Sequence, residues 1–94
     1  MKGLFVFLLL PLCSFASFYK DIVSTSIFAE ELAFVYVKNI YGEDAAINQK
    51  PYKIVEQKNS WIVKGREEKD RAGGSFFIEI AKKNGEIEDL YHTK

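Results

Sequence analysis

Residues 27–42 read IFAEELAFVYVKNIYG, and this stretch decides the fold. The pattern predicts one amphipathic helix, because apolar residues recur every three or four positions along a single stripe. The stripe consists of Ala29, Leu32, Ala33, Tyr36, Val37 and Ile40. Residues 24–26 (Ser-Thr-Ser) offer an N-cap, and Gly42 offers a C-cap. We expect Glu30 and Glu31 to lie early enough in the helix to suit the positive end of its dipole.

After residue 50 the chain reads as short strands separated by turn signals. Strands that follow a single helix and are joined by hairpin-length loops indicate an α+β fold rather than alternating βαβ units. Asn84-Gly85 is a strong hairpin signal, and residues 66–74 read as a charged loop that ends in two glycines. We expect residues 43–49 to be a short connection. The predicted strands span residues 52–57, 60–65, 75–81 and 86–91.

Alternation along the strands predicts which side chains face the core. Trp61 and Val63 should face inward, because Lys64 then faces solvent. The inward residues of the third predicted strand are Phe76, Ile78 and Ile80. Glu79 alternates with them and is therefore expected to face solvent.

The fourth predicted strand alternates less regularly. Its two faces are Ile87, Asp89 and Tyr91 on one side and Glu86, Glu88 and Leu90 on the other. Such a pattern favours an edge strand that is protected by its charges. The sequence thus predicts an N-terminal helix packed on a curved antiparallel sheet of three to four strands. Residues 17–94 would form a single small domain with its core in residues 26–92.

The N-terminus has the features of a secretory signal peptide, because a basic residue precedes a nearly apolar run at residues 3–12. We expect residues 1–16 to be the signal peptide, with cleavage after Ala16 and export to the periplasm, or secretion in a host without one. Cys13 opens a lipoprotein alternative, which Leu12 disfavours because a lipid-modified cysteine normally follows a small residue. A mature chain without Cys13 has no cysteine, which excludes disulfides and thiol chemistry.

Residues that could carry chemistry are sparse. The formal net charge is zero, and no basic face with interleaved aromatic residues indicates nucleic acid. The single histidine, His92, lies near the C-terminus and is expected to be solvated, so a metal site or nucleophile triad would lack partners. Glu79 could act as a general base only if it were enclosed by apolar walls, and its expected solvent-facing position argues against an enzyme. We expect no cofactor.

Five ordered segments give the chain a family resemblance. They are Tyr41-Gly42, Gln49-Lys50-Pro51-Tyr52, Trp61-Ile62-Val63-Lys64-Gly65, Gly73-Gly74 and Lys83-Asn84-Gly85-Glu86-Ile87. With them the chain resembles bacterial immunity proteins of nuclear transport factor 2-like (cystatin-like) fold, which are found beside polymorphic toxin genes. The resemblance implies a non-enzymatic periplasmic protein that binds and neutralises a cognate toxin. It implies no catalytic residue, no nucleic-acid partner and no transmembrane span in the mature chain.

Two other functions stay open at this point. One is a cystatin-like inhibitor or accessory domain of an extracytoplasmic enzyme, and the other is a small enzyme that uses a cavity of the fold. A partner-binding protein needs a rigid scaffold with a complementary surface and aromatic anchors. Phe34, which lies off the helix stripe, would either pack under a neighbouring loop or the N-terminal segment, or contact the partner. The residues nominated for partner binding are Phe34, Tyr41, Glu67, Glu68, Arg71 and Tyr91.

Overall fold

The computed structural model describes residues 20–67 and 74–93, so the signal peptide predicted at residues 1–16 lies outside the described residues. The described part consists of two helices followed by four strands. They are α1 (Ser26–Tyr41), α2 (Glu43–Asn48), β1 (Lys53–Glu56), β2 (Ser60–Lys64), β3 (Phe76–Ala81) and β4 (Ile87–His92). The strands pair antiparallel in the order β1-β2-β3-β4. The predicted α+β class is confirmed.

Both predicted ends of α1 are confirmed. The Oγ1 atom of Thr25 accepts a hydrogen bond from the Phe28 N–H at 3.1 Å, which caps the helix. Gly42 ends the helix with φ at 105°, and its N–H donates to the carbonyl of Lys38 at 3.1 Å. The expectation for residues 30–31 (Glu-Glu) is wrong, because the first turn contains no acidic residue. These two glutamates come one turn later, where the dipole effect has faded.

Only part of the predicted stripe of α1 is buried. Ala29, Ala33 and Val37 are fully buried, and this line of small side chains lets the helix approach the sheet closely. Leu32 and Tyr36 flank it and are partly buried. The inclusion of Ile40 is wrong: it continues the flanking line into the last turn of α1 and is 49% exposed.

The segment expected to be a plain connection instead contains the short helix α2. Glu43 and Asp44 lie in its first turn, where negative charge stabilises a helix N-terminus, and two alanines of high helix propensity follow. Ala46 is fully buried, and its carbonyl accepts a hydrogen bond from the Tyr52 hydroxyl at 2.5 Å. This bond ties α2 to the segment that leads into β1. The Lys50-Pro51 peptide within that segment is cis.

The inner face of the sheet packs against α1 as predicted. Its most buried side chains are Trp61, Val63, Phe76, Ile78 and Ile80. The indole N–H of Trp61 donates to the Val23 carbonyl at 2.8 Å. The N–H of Val23 in turn donates to the carbonyl of Lys82 at 2.9 Å. The segment before α1 is thereby fastened to the sheet.

Strand β4 is an edge strand, as predicted, but its faces differ from the prediction. The register shifts between β3 and β4, so that Ile87 lies opposite Ile80 and Leu90 lies opposite Ile78. Ile87 and Leu90 therefore both face inward and pack against the core. The prediction that put them on opposite faces is wrong, because the bulge adds one residue to the strand.

Candidate functional site

One face of the sheet is turned away from α1, and we call it the outer face. Strand alternation fixes its composition, because each residue next to an inward one points outward. The outer face includes Lys53, Val55, Ile62, Lys64, Phe77, Glu79, Asp89 and Tyr91, and the buried Ser60 and Ala81 also point outward. Its apolar members do not pack against the core, in contrast to Ile54 on the inner face of β1.

The strand register arranges the outer face in two rows that cross the sheet. The first row consists of Lys53, Lys64, Phe77 and Tyr91, and the second of Val55, Ile62, Glu79 and Asp89. In the first row β1 and β2 contribute charge while β3 and β4 contribute aromatic rings. In the second row β1 and β2 are apolar while β3 and β4 are acidic. The outer face therefore has a basic end and an acidic end.

Phe77 and Tyr91 form a stacked aromatic pair in the first row. Their ring centroids lie 4.6 Å apart and their planes differ by 9°. Tyr91 is 47% exposed, and the Lys64 Nζ atom lies 5.9 Å from the Phe77 centroid. The pair presents a flat apolar surface flanked by a cation, which is a usual composition for a contact with another molecule.

An open cavity of about 470 Å³ lies over the first row. The four side chains of that row line it together with residues of neighbouring loops, among them Arg66 and Glu67. The Nε–H of Arg66 donates to the Lys50 carbonyl at 2.7 Å and its Nη2–H donates to the Asn48 carbonyl at 3.0 Å. These bonds hold the guanidinium against the turn that follows α2.

A buried glutamine organises this end of the sheet, and no pattern in the sequence predicts it. Gln49 is 4% exposed, its Oε1 accepts from the Phe76 N–H at 2.9 Å, and its Nε2 lies 3.1 Å from the Nε2 of His92. Since the amide oxygen is committed to an N–H donor, Gln49 donates to His92, and the histidine proton is on Nδ1. Gly65 leaves the necessary room, because a Cβ at that position would lie 2.1 Å from the Gln49 Oε1.

The expectation that His92 is simply solvated is wrong. Its side chain is half-buried on the inner face of the sheet, next to Gln49. The Nδ1–H donates to the Thr93 carbonyl at 2.7 Å, and the ring meets that of Tyr41 edge-on at a centroid distance of 5.1 Å. His92 therefore has a structural role that joins β4 to the end of α1.

The structure brings two of the nominated partner-binding residues together at the cavity, namely Glu67 and Tyr91. Tyr41 instead packs on His92. Phe34 is half-buried, and the Nζ atom of Lys50 lies 4.5 Å from its ring centroid.

Glu68 and Arg71, the other two nominated residues, lie outside the described residues. Lys53, Lys64 and Phe77 were not nominated. Pairing the strands places all three in the same row as Tyr91.

Glu79 lies on the outer face, half-buried, and its Oε2 accepts a hydrogen bond from the Ser60 hydroxyl at 2.6 Å. His92 belongs to the opposite face, so the two groups do not meet. Residues 20–67 and 74–93 contain no group of three or more side chains suited to bind a metal ion. In the same residues no helix is long and apolar enough to span a membrane.

A family profile described as NTF2 fold immunity protein matches residues 28–94 of this chain. The chain belongs to the NTF2 fold immunity protein family. The match begins in the first turn of α1 and includes all four strands. It confirms the resemblance drawn from the ordered sequence segments.

Two similar proteins come from Escherichia coli strain K12, and both are called uncharacterized. The chain is 47% identical to YhhH over 76 residues, which cover 80% of this chain and 60% of YhhH. It is 45% identical to YbbC over 76 residues, which cover 80% of this chain and 62% of YbbC. The chain thus spans about three fifths of the length of these curated relatives. No solved structure matches.

Proposed function

We propose that this NTF2 fold immunity protein is non-enzymatic and acts in the periplasm, where it binds and neutralises a cognate bacterial toxin. The observation that carries the proposal is the family match over residues 28–94. The geometry agrees with it, because the polar groups of the described residues serve the fold or lie on open faces. Glu79 has a serine partner and stands apart from His92.

We propose the outer face as the surface that contacts the toxin. It combines exposed aromatic rings with charged residues around an open cavity, and aromatic anchors dominate the energetics of many protein interfaces. Tyr91 and Glu67, two of the residues nominated from the sequence, lie at this cavity. A contribution from Phe34, Tyr41, Glu68 or Arg71 stays a prediction.

Export through a signal peptide that ends at Ala16 is part of the proposal. Cleavage there would leave intact the hydrogen bonds that fasten Val23 to Trp61 and Lys82. Fractionation of the producing strain, followed by mass spectrometry of the purified chain, should give a periplasmic protein that begins at Ser17. A lipid-modified N-terminus at Cys13 would support the lipoprotein alternative, and recovery of the uncleaved chain from the cytoplasm would contradict export.

The toxin-binding proposal can be tested by capture from the producing strain. The full gene is expressed with a C-terminal tag, and proteins retained from the periplasmic fraction are identified. We expect a toxin encoded near this gene to form a complex that survives size-exclusion chromatography. Expression of that toxin in a sensitive strain should stop growth unless the immunity protein is co-expressed.

Two outcomes would contradict this proposal. One is equal toxicity with and without the immunity protein. The other is capture and inhibition of a peptidase, which would favour the cystatin-like inhibitor. Tyr91→Ala provides a variant aimed at the proposed contact, and Val35→Ala, an exposed apolar residue on α1, provides its matched control.

A further inference from the structure

We infer that the outer face binds an acidic segment of its protein partner. Carboxylates of that segment would lie over Lys53 and Lys64, and an adjacent aromatic or apolar side chain would lie on the stacked rings of Phe77 and Tyr91. The inference rests on the proposed function, because it specifies the chemistry of the partner at the same face.

Two lysines form a like-charge pair on the outer face. Lys53 and Lys64 are direct cross-strand neighbours on the same face of the sheet. Such neighbours have Cβ atoms about 5 Å apart, and like charges at that spacing destabilise a sheet. Within residues 20–67 and 74–93, neither lysine forms an ion pair with a carboxylate. A carboxylate from a partner would offset this repulsion, because it would form charge-assisted hydrogen bonds with both ammonium groups.

Lys82, which directly follows β3, is a lysine whose charge is compensated within the fold. Lys82 pairs with the Glu56 carboxylate at 2.7 Å and lies 5.2 Å from the Trp61 ring centroid. Among the described residues, Lys53 and Lys64 have no such carboxylate although they stand side by side. Their charge is therefore available for a partner.

The described lining of the cavity also carries more positive than negative charge. Even with Arg66 left aside, the two lysines Lys53 and Lys64 outnumber the one carboxylate, Glu67, in that described lining. An excess of positive charge around an open cavity favours an anionic partner and speeds its approach.

The aromatic pair of the first row and the acidic residues of the second row fix the position and extent of the acidic segment. The stacked pair of Phe77 and Tyr91 continues the lysine row across β3 and β4. A segment lying across the strands would thus meet cations first and aromatic rings next. Glu79 and Asp89 would repel an acidic segment that extended from the first row onto the second row. The contact is therefore confined to the end of the outer face that carries the cavity.

Short peptides test this chemistry without knowledge of the toxin. ¹⁵N-labelled protein expressed from the full 94-residue sequence is titrated with acetyl-Glu-Phe-Glu-amide, and the amide chemical shifts are followed. The controls are acetyl-Lys-Phe-Lys-amide and acetyl-Gln-Phe-Gln-amide. We expect the acidic peptide alone to shift the amides of Lys53, Lys64, Phe77 and Tyr91, with shifts that shrink as salt is added. No localised shift, or equal shifts with the basic peptide, would overturn the inference.

Charge reversal locates the effect on the protein. In K53E/K64E the shifts caused by the acidic peptide should disappear, whereas K58E/K83E should respond like the wild type. The control changes the same charge at two exposed lysines in the turns at the opposite end of the sheet. A well-dispersed amide spectrum verifies folding, and K53Q/K64Q replaces the reversal variant if that variant does not fold. Equal loss in both reversal variants would contradict a local site.

A captured toxin separates this inference from the proposed function. If the wild type binds the toxin, K53E/K64E should raise the Kd for the toxin at least about tenfold, and K58E/K83E should leave this Kd unchanged. Unchanged affinity in K53E/K64E would refute the acidic-segment inference while toxin binding stands. If the wild type binds no toxin, the proposed function fails, and the peptide titration still decides whether the outer face prefers acidic segments.

Discussion

Replacement of Gln49 by leucine should destabilise the protein far more than loss of an ordinary surface amide. Gln49 is buried, and its side chain accepts from the Phe76 N–H and donates to the Nε2 of His92. Leucine has a similar size but satisfies neither group. The N–H of Phe76 is then left buried without its partner, which costs about 1–3 kcal/mol. His92 is half-buried and adds about 1 kcal/mol for its lost bond.

The expected destabilisation by Gln49→Leu is therefore about 2–4 kcal/mol. A domain of this size has a total unfolding free energy of about 4–12 kcal/mol, so the change removes a large fraction of it. The melting temperature should fall by about 10–25 °C. Urea unfolding, followed by far-UV circular dichroism and by the fluorescence of Trp61, measures the free energy directly. Asn39→Leu is the matched control, because Asn39 is exposed and, within the part of the chain that the structure describes, its side chain bonds to the Val35 carbonyl one turn away.

A double-mutant cycle tests the network rather than the single residue. His92→Ala removes the partner of the Gln49 amide nitrogen, and the combined variant should lose less than the sum of the two changes. Groups within one hydrogen-bond network typically show coupling of about 0.5–3 kcal/mol. Two results would refute this reasoning: a loss in Gln49→Leu no larger than in Asn39→Leu, or strict additivity with His92→Ala.

Three further predictions concern individual side chains. Burial, and secondarily the carboxylate of Glu30, raises the pKa of Tyr52 from 10.0 to about 12. The folded state therefore favours the neutral phenol, and this stabilisation is complete below pH 10 and is lost as the pH rises from 10 to 12. Unfolding midpoints should fall over that range in the wild type and less in Tyr52→Phe. Leu90→Ala should cost about 2 kcal/mol because Leu90 packs inward beside the bulge, whereas Tyr91→Ala should cost under about 1 kcal/mol in the same urea assay. Lys53→Glu should raise the free energy of unfolding by about 0.2–1 kcal/mol, since it faces Lys64 across the strand pair; a loss of stability there would contradict the like-charge argument.

The features that the sequence predicted correctly are those that depend on neighbours in the chain. The caps of α1 at Thr25 and Gly42, the hairpin at Asn84-Gly85 and the inward alternation of β2 and β3 all follow from local propensity and period. The short helix α2 was missed because six residues give too little periodicity to recognise. Its acidic first turn and its two alanines were the available signals.

The features that were missed depend on contacts between distant residues. Gln49 is a polar residue in a turn, and nothing near it in the sequence indicates that it meets Phe76 and His92. The faces of β4 could not be assigned because one extra residue at a bulge reverses the alternation beyond it. The candidate site was nominated from exposed aromatic and charged residues, so it included Tyr91. Lys53 and Lys64 were omitted because each looks like an ordinary solvated lysine until the strands are paired.

We expect stability and recognition to depend on opposite faces of the same sheet. The inner face holds the core against α1 and depends on the bonds of Gln49, so changes there should alter folding first. The outer face contributes little to the core, and its paired lysines, Lys53 and Lys64, oppose folding slightly. A residue pair that costs stability is retained more readily when it serves binding. The Lys53→Glu variant should therefore be more stable than the wild type and bind an acidic partner more weakly. A purely structural role for the outer face would not produce these two opposite effects.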